Sequence, residues 1–270
     1  MNLELTAGNV KQATVGISSR DLWQVPLAQI HVLEGFNIRV KSDEHESHVA
    51  SLADSILSNG FYQSKPLAGY VALEDGKQRI YLTDGHCRLE AAMQAISRGA
   101  QIDTLPVVMS PKGATMEDLT VGLVANNSGN PLTQYEIGLV CKRLVGFGME
   151  ERSVAQRLCM NVQRVSDLLM LVGAPAAVRK LVSDGTVAAS QAIETIKREG
   201  DGAVEKLTAG AEKAKAAGKK KATRKHIDSR PSYRAVVVEL LEYDKAFKIF
   251  DCEAGRQLKT VIRMAKQAMG

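Results

Sequence analysis

Residues 151–170 read ERSVAQRLCMNVQRVSDLLM, and this stretch decides how the middle of the chain folds. A helix-turn-helix needs a small residue where its two helices cross, a residue that tolerates a tight turn, and a branched apolar residue in the second helix. Ala155, Cys159 and Val165 stand at the corresponding offsets. The stretch therefore predicts two short helices joined by a tight turn.

The other apolar residues of the stretch fit the same interpretation. Four of them are expected to be buried between the helices, namely Val154, Leu158, Met160 and Leu168. Cys159 stands where glycine is usual, so we expect a strained turn or a slightly different one at this position.

The polar residues of the stretch point to double-stranded DNA as the partner. Asn161 can cap the second helix, and Gln163, Arg164 and Asp167 face outward from its N-terminal half. Side chains at that end of a recognition helix meet base edges in the major groove, so Asn161, Gln163 and Arg164 are predicted DNA-binding residues. Asp167 would repel phosphate and is either an acceptor for a base or a surface residue. The alternative is an ordinary helical hairpin whose polar face is only solvated.

Upstream of this stretch, residues 23–111 alternate strand-like and helix-like patterns and so predict an α+β unit. Apolar residues from Val49 to Leu57 repeat at helical spacing and stop at Asn59-Gly60. The segments that follow predict a β-hairpin over residues 65–83, a helix from Leu89 to Ile96 and a strand over residues 105–109.

A second motif, Thr83-Asp-Gly-His-Cys-Arg-Leu-Glu-Ala-Ala92, stands where the hairpin leads into the helix. Gly85 permits close backbone approach, the helix N-terminus presents N–H groups, and His86 and Arg88 add donors. This combination predicts a phosphate-binding turn, and the alternative is a glycine that only ends the strand. A thiol nucleophile at Cys87 is disfavoured, because Cys87 and a base at His86 would point in different directions.

Downstream of the helix-turn-helix, the helical pattern continues to about Arg198 and a strongly basic segment follows. The formal charge of the chain is +5, and residues 211–226 hold seven basic residues and one acid. This segment is predicted to be a basic linker or arm, in which Lys219, Lys220 and Lys221 contact the DNA backbone. An amphipathic segment from Leu258 to Met269 is too short to stand alone and is expected to pack on a partner.

The composition disfavours several other classes of protein. Aromatic residues make up 4% of the chain, which argues against a reader of single strands by stacking. The 4 cysteines lie far apart without a C-x-x-C pair, which disfavours a disulfide framework or a zinc ribbon. The first residues lack a signal-peptide pattern and no stretch reaches about 18 apolar residues, so we expect a cytoplasmic protein with no membrane partner.

Five motifs occur in the order typical of ParB/KorB-type partition proteins, and over roughly residues 23–200 the chain resembles that family. The motifs are Asn37-Ile-Arg39, the helix end Ser58-Asn-Gly-Phe-Tyr-Gln63, the turn over residues 84–92, the segment Asn126-Asn-Ser-Gly-Asn-Pro-Leu-Thr-Gln-Tyr-Glu136, and the helix-turn-helix.

The resemblance implies an α+β protein in five parts. These are a flexible tail (1–22), a small mixed ParB-like N-terminal α/β domain (23–112), an all-helical helix-turn-helix domain (113–200), a basic linker (201–228) and a short C-terminal dimerisation segment (229–270). It also implies a homodimer that recognises a palindromic DNA site, binds CTP with Mg²⁺, works with a partition ATPase, and is associated with a nucleoid or plasmid.

Motif matching assigns the nucleotide site. Gly85, His86 and Arg88 fall on the family's Gly-Glu-Arg-Arg phosphate motif. Asn126 falls on its Glu-Asn-x-x-Arg motif, which binds metal and phosphate, and Gln63 falls on the nucleotide-side loop.

The chain departs from these motifs at four positions. His86 and Cys87 replace a Glu and an Arg, and Ala125 and Gly129 replace a second Glu and a second Arg. These changes remove carboxylate oxygens, which Mg²⁺ prefers, and bidentate phosphate contacts. The resemblance therefore leaves open a CTPase with weak or absent hydrolysis.

Two other functions stay open. A ParB-like nuclease or a nucleotide-dependent phosphotransferase would need a base and a metal-binding carboxylate near Gly85, where Asp84 and Glu90 are the acids. A transcriptional repressor that has kept the fold and lost the nucleotide fits the departures at Ala125 and Gly129.

Overall fold

The computed structural model describes residues 22–127, 130–227 and 260, which fall into two compact units, Met1–Arg179 (unit 1) and Lys180–Gly270 (unit 2). The predicted tail and the predicted dimerisation segment lie outside the described residues, apart from Leu22 and Thr260, and so does the departure at Gly129. Among the described residues, no helix combines the length and hydropathy that crossing a bilayer requires. The domain boundaries predicted at residues 112 and 200 remain predictions.

A mixed sheet forms the first half of unit 1. Its strands are β1 Leu22–Pro26, β2 Ile30–His31, β3 Leu67–Glu74, β4 Lys77–Asp84 and β5 Thr104–Met109, in the spatial order β1-β5-β3-β4-β2. β3 and β4 form the predicted hairpin and pair antiparallel, with Ala68 opposite Asp84, whereas β3 runs parallel to β5. This register brings the end of β4 beside the start of β3.

Two helices, α1 (Asp43–Asn59) and α2 (His86–Ser97), share an apolar core with this sheet. The Ser42 side chain caps α1, and Gly60 ends it at a φ of 75°, which confirms the predicted stop. The buried core residues are Val25, Ile30, Val49, Ala53, Ile56, Leu67, Leu82, Leu89, Ala91, Ala92, Ala95, Leu105 and Val107. The strands and helices therefore confirm the predicted α+β class.

The second half of unit 1 is helical. Its helices are α3 Met116–Ala125, α4 Gln134–Gly146, α5 Glu151–Arg157, α6 Val162–Gly173 and α7 Ala176–Ser183, the last of which crosses the boundary between the units. Thr115 and Thr133 start α3 and α4 with capping boxes. Residues of α3 to α6 form a second core, which also contains Phe36 and Ile38 from the loop before α1.

Unit 2 corrects one prediction. The sequence predicted a linker over residues 201–228, but the structure has α9 (Ala203–Ala216) and α10 (Arg224–Ile227) there, after α8 (Ala189–Glu199). The low-complexity sequence is rich in alanine and lysine, which favour a helix, and its small residues bury one face of α9. A Cβ at Gly210 would lie 2.7 Å from Ile227 Cγ1, so glycine lets α10 approach α9.

Candidate functional site

Unit 1 contains a cavity of about 400 Å³ at the turn from β4 into α2, and most of its lining residues have polar or charged side chains. Its lining residues are Asn37, Ile38, Arg39, His48, Leu52, Lys65, Asp84, Gly85, His86, Cys87, Arg88, Leu123, Asn126, Asn127, Asn130 and Leu132. The structure therefore brings together four of the five residues predicted to bind a nucleotide. The fifth, Gln63, is exposed, is not among the lining residues, and accepts a hydrogen bond from Gln24 Nε2 at 2.7 Å.

Gly85 forms the backbone wall of the cavity. It is the N-cap of α2 and has a φ of 93°, a conformation that residues with a side chain rarely adopt. A Cβ at this position would lie 2.5 Å from Leu67 Cδ2. Both the turn and the packing thus require glycine, and they place the first-turn N–H groups of α2, which have no acceptor within the helix, at the cavity.

The Arg88 guanidinium is bound to the protein itself. Its Nη1 donates to the carbonyl oxygens of Lys65 at 2.6 Å and Pro66 at 2.5 Å, and its Nη2 donates to Asp84 Oδ2 at 3.2 Å. These bonds tie the first turn of α2 to the segment before β3. A phosphate group at this turn would have to share Arg88 with these acceptors or displace them.

His86 lies at the cavity as a neutral imidazole. Burial lowers its pKa from 6.5 to about 4, and the nearby Asp84 carboxylate opposes this shift only in part. Its Nε2 atom is buried without a hydrogen-bond partner within the described part of the chain. His86 therefore places an uncharged, buried imidazole at the cavity, where the family motif has a charged Glu.

Cys87 has the properties of a structural thiol. Burial raises its pKa, and the positive charge of Arg39 lowers it to a lesser extent. Because the thiolate is the nucleophilic form, the raised pKa agrees with the sequence argument against a nucleophile at this position.

Arg39 was not singled out as a site residue from the sequence, although the short motif around it carried part of the resemblance. Its Nη2 donates to Asn127 Oδ1 at 2.8 Å, and its Nη1 lies 3.9 Å from Glu136 Oε2. Glu136 is 3% exposed, and its Oε1 accepts a hydrogen bond from the Val40 N–H at 2.8 Å. The cavity wall around Arg39 is therefore fixed to the start of α4.

Lys65 and His48 also line the cavity, and neither belongs to a motif that could have revealed it. The Lys65 N–H donates to the Tyr62 carbonyl at 3.1 Å, and its own carbonyl accepts from Arg88. The side chain is exposed, and its ammonium has no ion pair within the described residues. The backbone of Lys65 is therefore fixed, and its ammonium is available to a ligand.

The lining residues fit a nucleotide better than they fit Mg²⁺. The positive charges of Arg39 and Lys65 and the N–H groups in the first turn of α2 suit phosphate, and four asparagine amides supply donors and acceptors for a base. Mg²⁺ prefers carboxylate oxygens in octahedral geometry. Asp84 is the only acid among the described lining residues, and Arg88 already binds it. The metal role predicted for Asn126 therefore lacks a carboxylate partner in the described cavity.

The exposed face of α6 is the second candidate site. Val154, Leu158 and Leu168 are buried and Met160 packs against the same core, as the sequence predicted. The Asn161 side chain caps α6, because its Oδ1 accepts a hydrogen bond from the Arg164 N–H at 2.7 Å. The predicted cap at the start of α6 is therefore confirmed.

The predicted DNA-binding residues of α6 are exposed. Gln163 Nε2 donates to Asp167 Oδ1 at 2.7 Å, which orients the amide along the helix. The Arg164 side chain has no hydrogen-bond or ion-pair partner within the described part of the chain. Arg164 is therefore available to an external acceptor.

Cys159 shows the strain expected from the sequence. It stands between α5 and α6 with a φ of 53°, in the left-handed region that favours glycine. The chain therefore keeps the turn geometry that glycine usually provides and holds a side chain in it.

Lys219, Lys220 and Lys221 are exposed on a short turn of unit 2. The next residue, Ala222, is buried, its N–H donates to the Thr186 carbonyl at 2.8 Å, and it forms a β-bridge with Val187. The lysines are thus carried by a folded turn rather than by an arm.

No protein-family model and no curated protein match this sequence. Solved structures are similar to it. The C-terminally truncated chromosome-partitioning protein ParB from Caulobacter crescentus complexed to the centromeric parS site has 18% identity, covers 73% of this chain and 92% of that chain, and gives a TM-score of 0.44. The same protein complexed with CTP-gamma-S has 17% identity, with 73% and 98% covered and a TM-score of 0.31.

A Pnob8-like ParB-N domain is 13% identical, with 82% of this chain and 98% of that chain covered and a TM-score of 0.51. This similarity concerns the fold alone, and it confirms the ParB-like fold expected from the sequence.

Proposed function

We propose that this chain is a sequence-specific DNA-binding protein of the ParB type, acting in partition or in linked regulation of transcription, and that a nucleotide in the cavity controls its hold on DNA. The observation that carries the proposal is a shared core. Ile38 and Leu132 line the cavity and belong to the same buried cluster as Val165 and Leu168 of α6. A ligand that moves the cavity wall therefore acts on the helix that presents the predicted base readers.

On the DNA side, Arg164 is the residue expected to discriminate most strongly between bases. A guanidinium binds the O6 and N7 acceptors of guanine in a bidentate manner, and a glutamine pairs with adenine in the same way. Gln163 can do so while Asp167 orients it. The exposed lysines of unit 2 contact phosphates and add affinity without sequence preference.

On the nucleotide side, the N–H groups in the first turn of α2 would bind the phosphates, the charges of Arg39 and Arg88 would attract them, and the asparagine amides would contact the base. CTP, when bound, supplies a negatively charged phosphate chain and a polar base edge. Hydrolysis is not part of the proposal, because Asp84 is paired with Arg88 and is the only acid among the described lining residues. The same pairing gives no support to a nuclease or phosphotransferase.

A homodimer with a palindromic operator follows from the proposed class, since two recognition helices related by a two-fold axis read inverted half-sites. The segment expected to dimerise, residues 229–270, would set the spacing of those half-sites. A partition ATPase is the further partner that this class implies.

Selection from a pool of random duplexes, followed by sequencing of the bound fraction, tests the proposal. Enrichment of an inverted repeat supports a sequence-specific dimer, and recovery of random sequences overturns it. Titration of the DNA complex with CTP and, separately, with ATP then tests nucleotide control. If neither nucleotide binds or changes the dissociation rate of the complex, the protein is a nucleotide-independent repressor with the same fold.

A further inference from the structure

We infer that the cavity binds its nucleotide without a divalent cation and that the Lys65 ammonium contacts the phosphates in the place of the metal. This inference rests on the nucleotide binding proposed above, and it concerns how the charge of the phosphates is neutralised. The family resemblance implied Mg²⁺, and the donor set of this cavity does not provide for it.

The oxygen donors of the cavity are neutral or already bound. Asp84 Oδ2 accepts a hydrogen bond from Arg88, so a metal at this carboxylate would compete with a guanidinium. Two of the four asparagine oxygens are also occupied, since Asn127 Oδ1 accepts from Arg39 Nη2 and Asn37 Oδ1 accepts from the Arg39 N–H. The amides of Asn126 and Asn130 carry no charge, and Mg²⁺ sites in proteins depend on one or two carboxylates.

The two guanidiniums of the cavity are engaged inside the protein. Arg39 donates to Asn127 Oδ1 and to the carbonyl oxygens of Asn130 and Pro131. Arg88 donates to two carbonyl oxygens and to Asp84. A phosphate can still use their charge, but it gains few new hydrogen bonds from donors that already have acceptors.

Lys65 differs from both arginines. Its backbone is fixed at the cavity through Tyr62 and Arg88, whereas its ammonium is exposed and has no ion pair within the described residues. An ammonium is a compact charge with three donors, and it binds phosphate as a point charge without a fixed geometry. Lys65 can therefore neutralise the negative charge of a phosphate chain in this cavity.

Calorimetric titration of the full chain with CTP tests the inference, in magnesium buffer and in the same buffer with EDTA in place of magnesium. The expected result is a Kd in EDTA that is equal to or lower than the Kd in magnesium, because Mg²⁺ binds the phosphates of CTP and lowers the concentration of the metal-free nucleotide. Lys65→Ala should weaken binding by about tenfold in both, because the variant lacks one charged hydrogen-bond donor to the phosphates. Lys65→Arg should restore most of the affinity. The matched control is Lys77→Ala, which removes an exposed lysine of β4 that does not line the cavity and should leave Kd unchanged.

The outcomes separate this inference from the proposed function. Binding that disappears in EDTA, or a Lys65→Ala protein with unchanged affinity and an unchanged melting temperature, overturns the inference and leaves nucleotide binding intact. If the unaltered protein binds CTP in neither buffer, nucleotide control is overturned together with the inference. DNA binding is tested separately, by the duplex selection.

Discussion

Arg157 of α5 donates a hydrogen bond to Oδ1 of Asp118, while the other oxygen of that carboxylate accepts hydrogen bonds from the N–H and the hydroxyl of Thr115 at the start of α3. From this pair of residues, α3 runs to Asn126 at the cavity. One carboxylate thus ties the first helix of the predicted DNA-reading pair to a helix that ends at the predicted nucleotide site.

The Asp118 carboxylate predicts a pH dependence of stability. The hydrogen bond from the Thr115 backbone, followed by the one from Arg157, lowers the pKa of Asp118 from 3.8 to about 2. Because the folded pKa lies below the unfolded one, the stabilisation is present above pH 3.8 and is lost as the pH falls toward 2. Urea titrations across this range should show a flatter pH dependence for Asp118→Asn and a partly flattened one for Arg157→Ala. Arg98→Ala, which removes a guanidinium paired with Asp54, serves as the control.

Relief of the strained turn predicts that Cys159→Gly stabilises the protein. A residue with a Cβ in the left-handed region costs about 1 kcal/mol, and glycine removes that cost while losing some backbone entropy. Thermal unfolding should therefore give a higher Tm for Cys159→Gly. Cys159→Ala keeps the Cβ and should not show this gain, so equal rises in both variants would assign the effect to the thiol.

Base reading by Arg164 predicts a selective loss of affinity in the Arg164→Ala variant. Affinity for the selected site should fall by about 1–3 kcal/mol, while affinity for random duplex changes little. Fluorescence anisotropy with the two duplexes measures the difference, and Arg98→Ala is the control for the loss of a surface guanidinium. Equal losses on both duplexes would reduce Arg164 to a phosphate-binding residue.

For the exposed lysines of unit 2 we predict a loss of affinity that does not depend on the DNA sequence. Replacing Lys219, Lys220 and Lys221 by alanine should weaken binding to all duplexes to a similar extent. The slope of log K against log salt should fall by about 1 for each phosphate that a lysine no longer neutralises. A triple replacement by arginine keeps the charge and should keep the slope. If the alanine variant retains the full slope, these lysines do not contact DNA.

His86 predicts a second pH dependence, in a different range. Between pH 6.5 and about 4 the unfolded chain binds a proton at His86 that the folded protein does not, so the free energy of unfolding falls as the pH falls through this window. A shift of this size corresponds to about 3 kcal/mol across the window. His86→Gln should remove that slope in urea titrations, whereas His48→Gln, at another cavity residue, should retain it.

Local features of the fold were predictable from the sequence because neighbouring residues determine them. Turn residues predict the hairpin of β3 and β4 and the end of α1 at Gly60. The spacing of apolar residues predicts the burial of Val154 and Leu168. The linker prediction was wrong at α9. Composition does not reveal that Gly210 and Ile227 approach closely, and this approach lets α9 and α10 pack together.

The candidate site was predictable only where it coincides with a motif. Gly85, His86 and Arg88 stand together in the chain, and a strand that ends in glycine before a helix marks them. Arg39 and Lys65 belong to the same cavity but reach it from other segments. Gln63 was assigned to the site through the motif, and the structure places it outside the lining.

The sequence by itself determined the turn into α2, the cap at Asn161 and the strained position of Cys159, since each depends on the φ preferences and hydrogen bonds of a few consecutive residues. The tertiary structure alone decided which charges the cavity offers. Arg39 and Arg88 give their donors to acceptors that the fold brings within reach, and Lys65 does not. The availability of a cation depends on which acceptors surround it, and those acceptors come from residues distant in the chain.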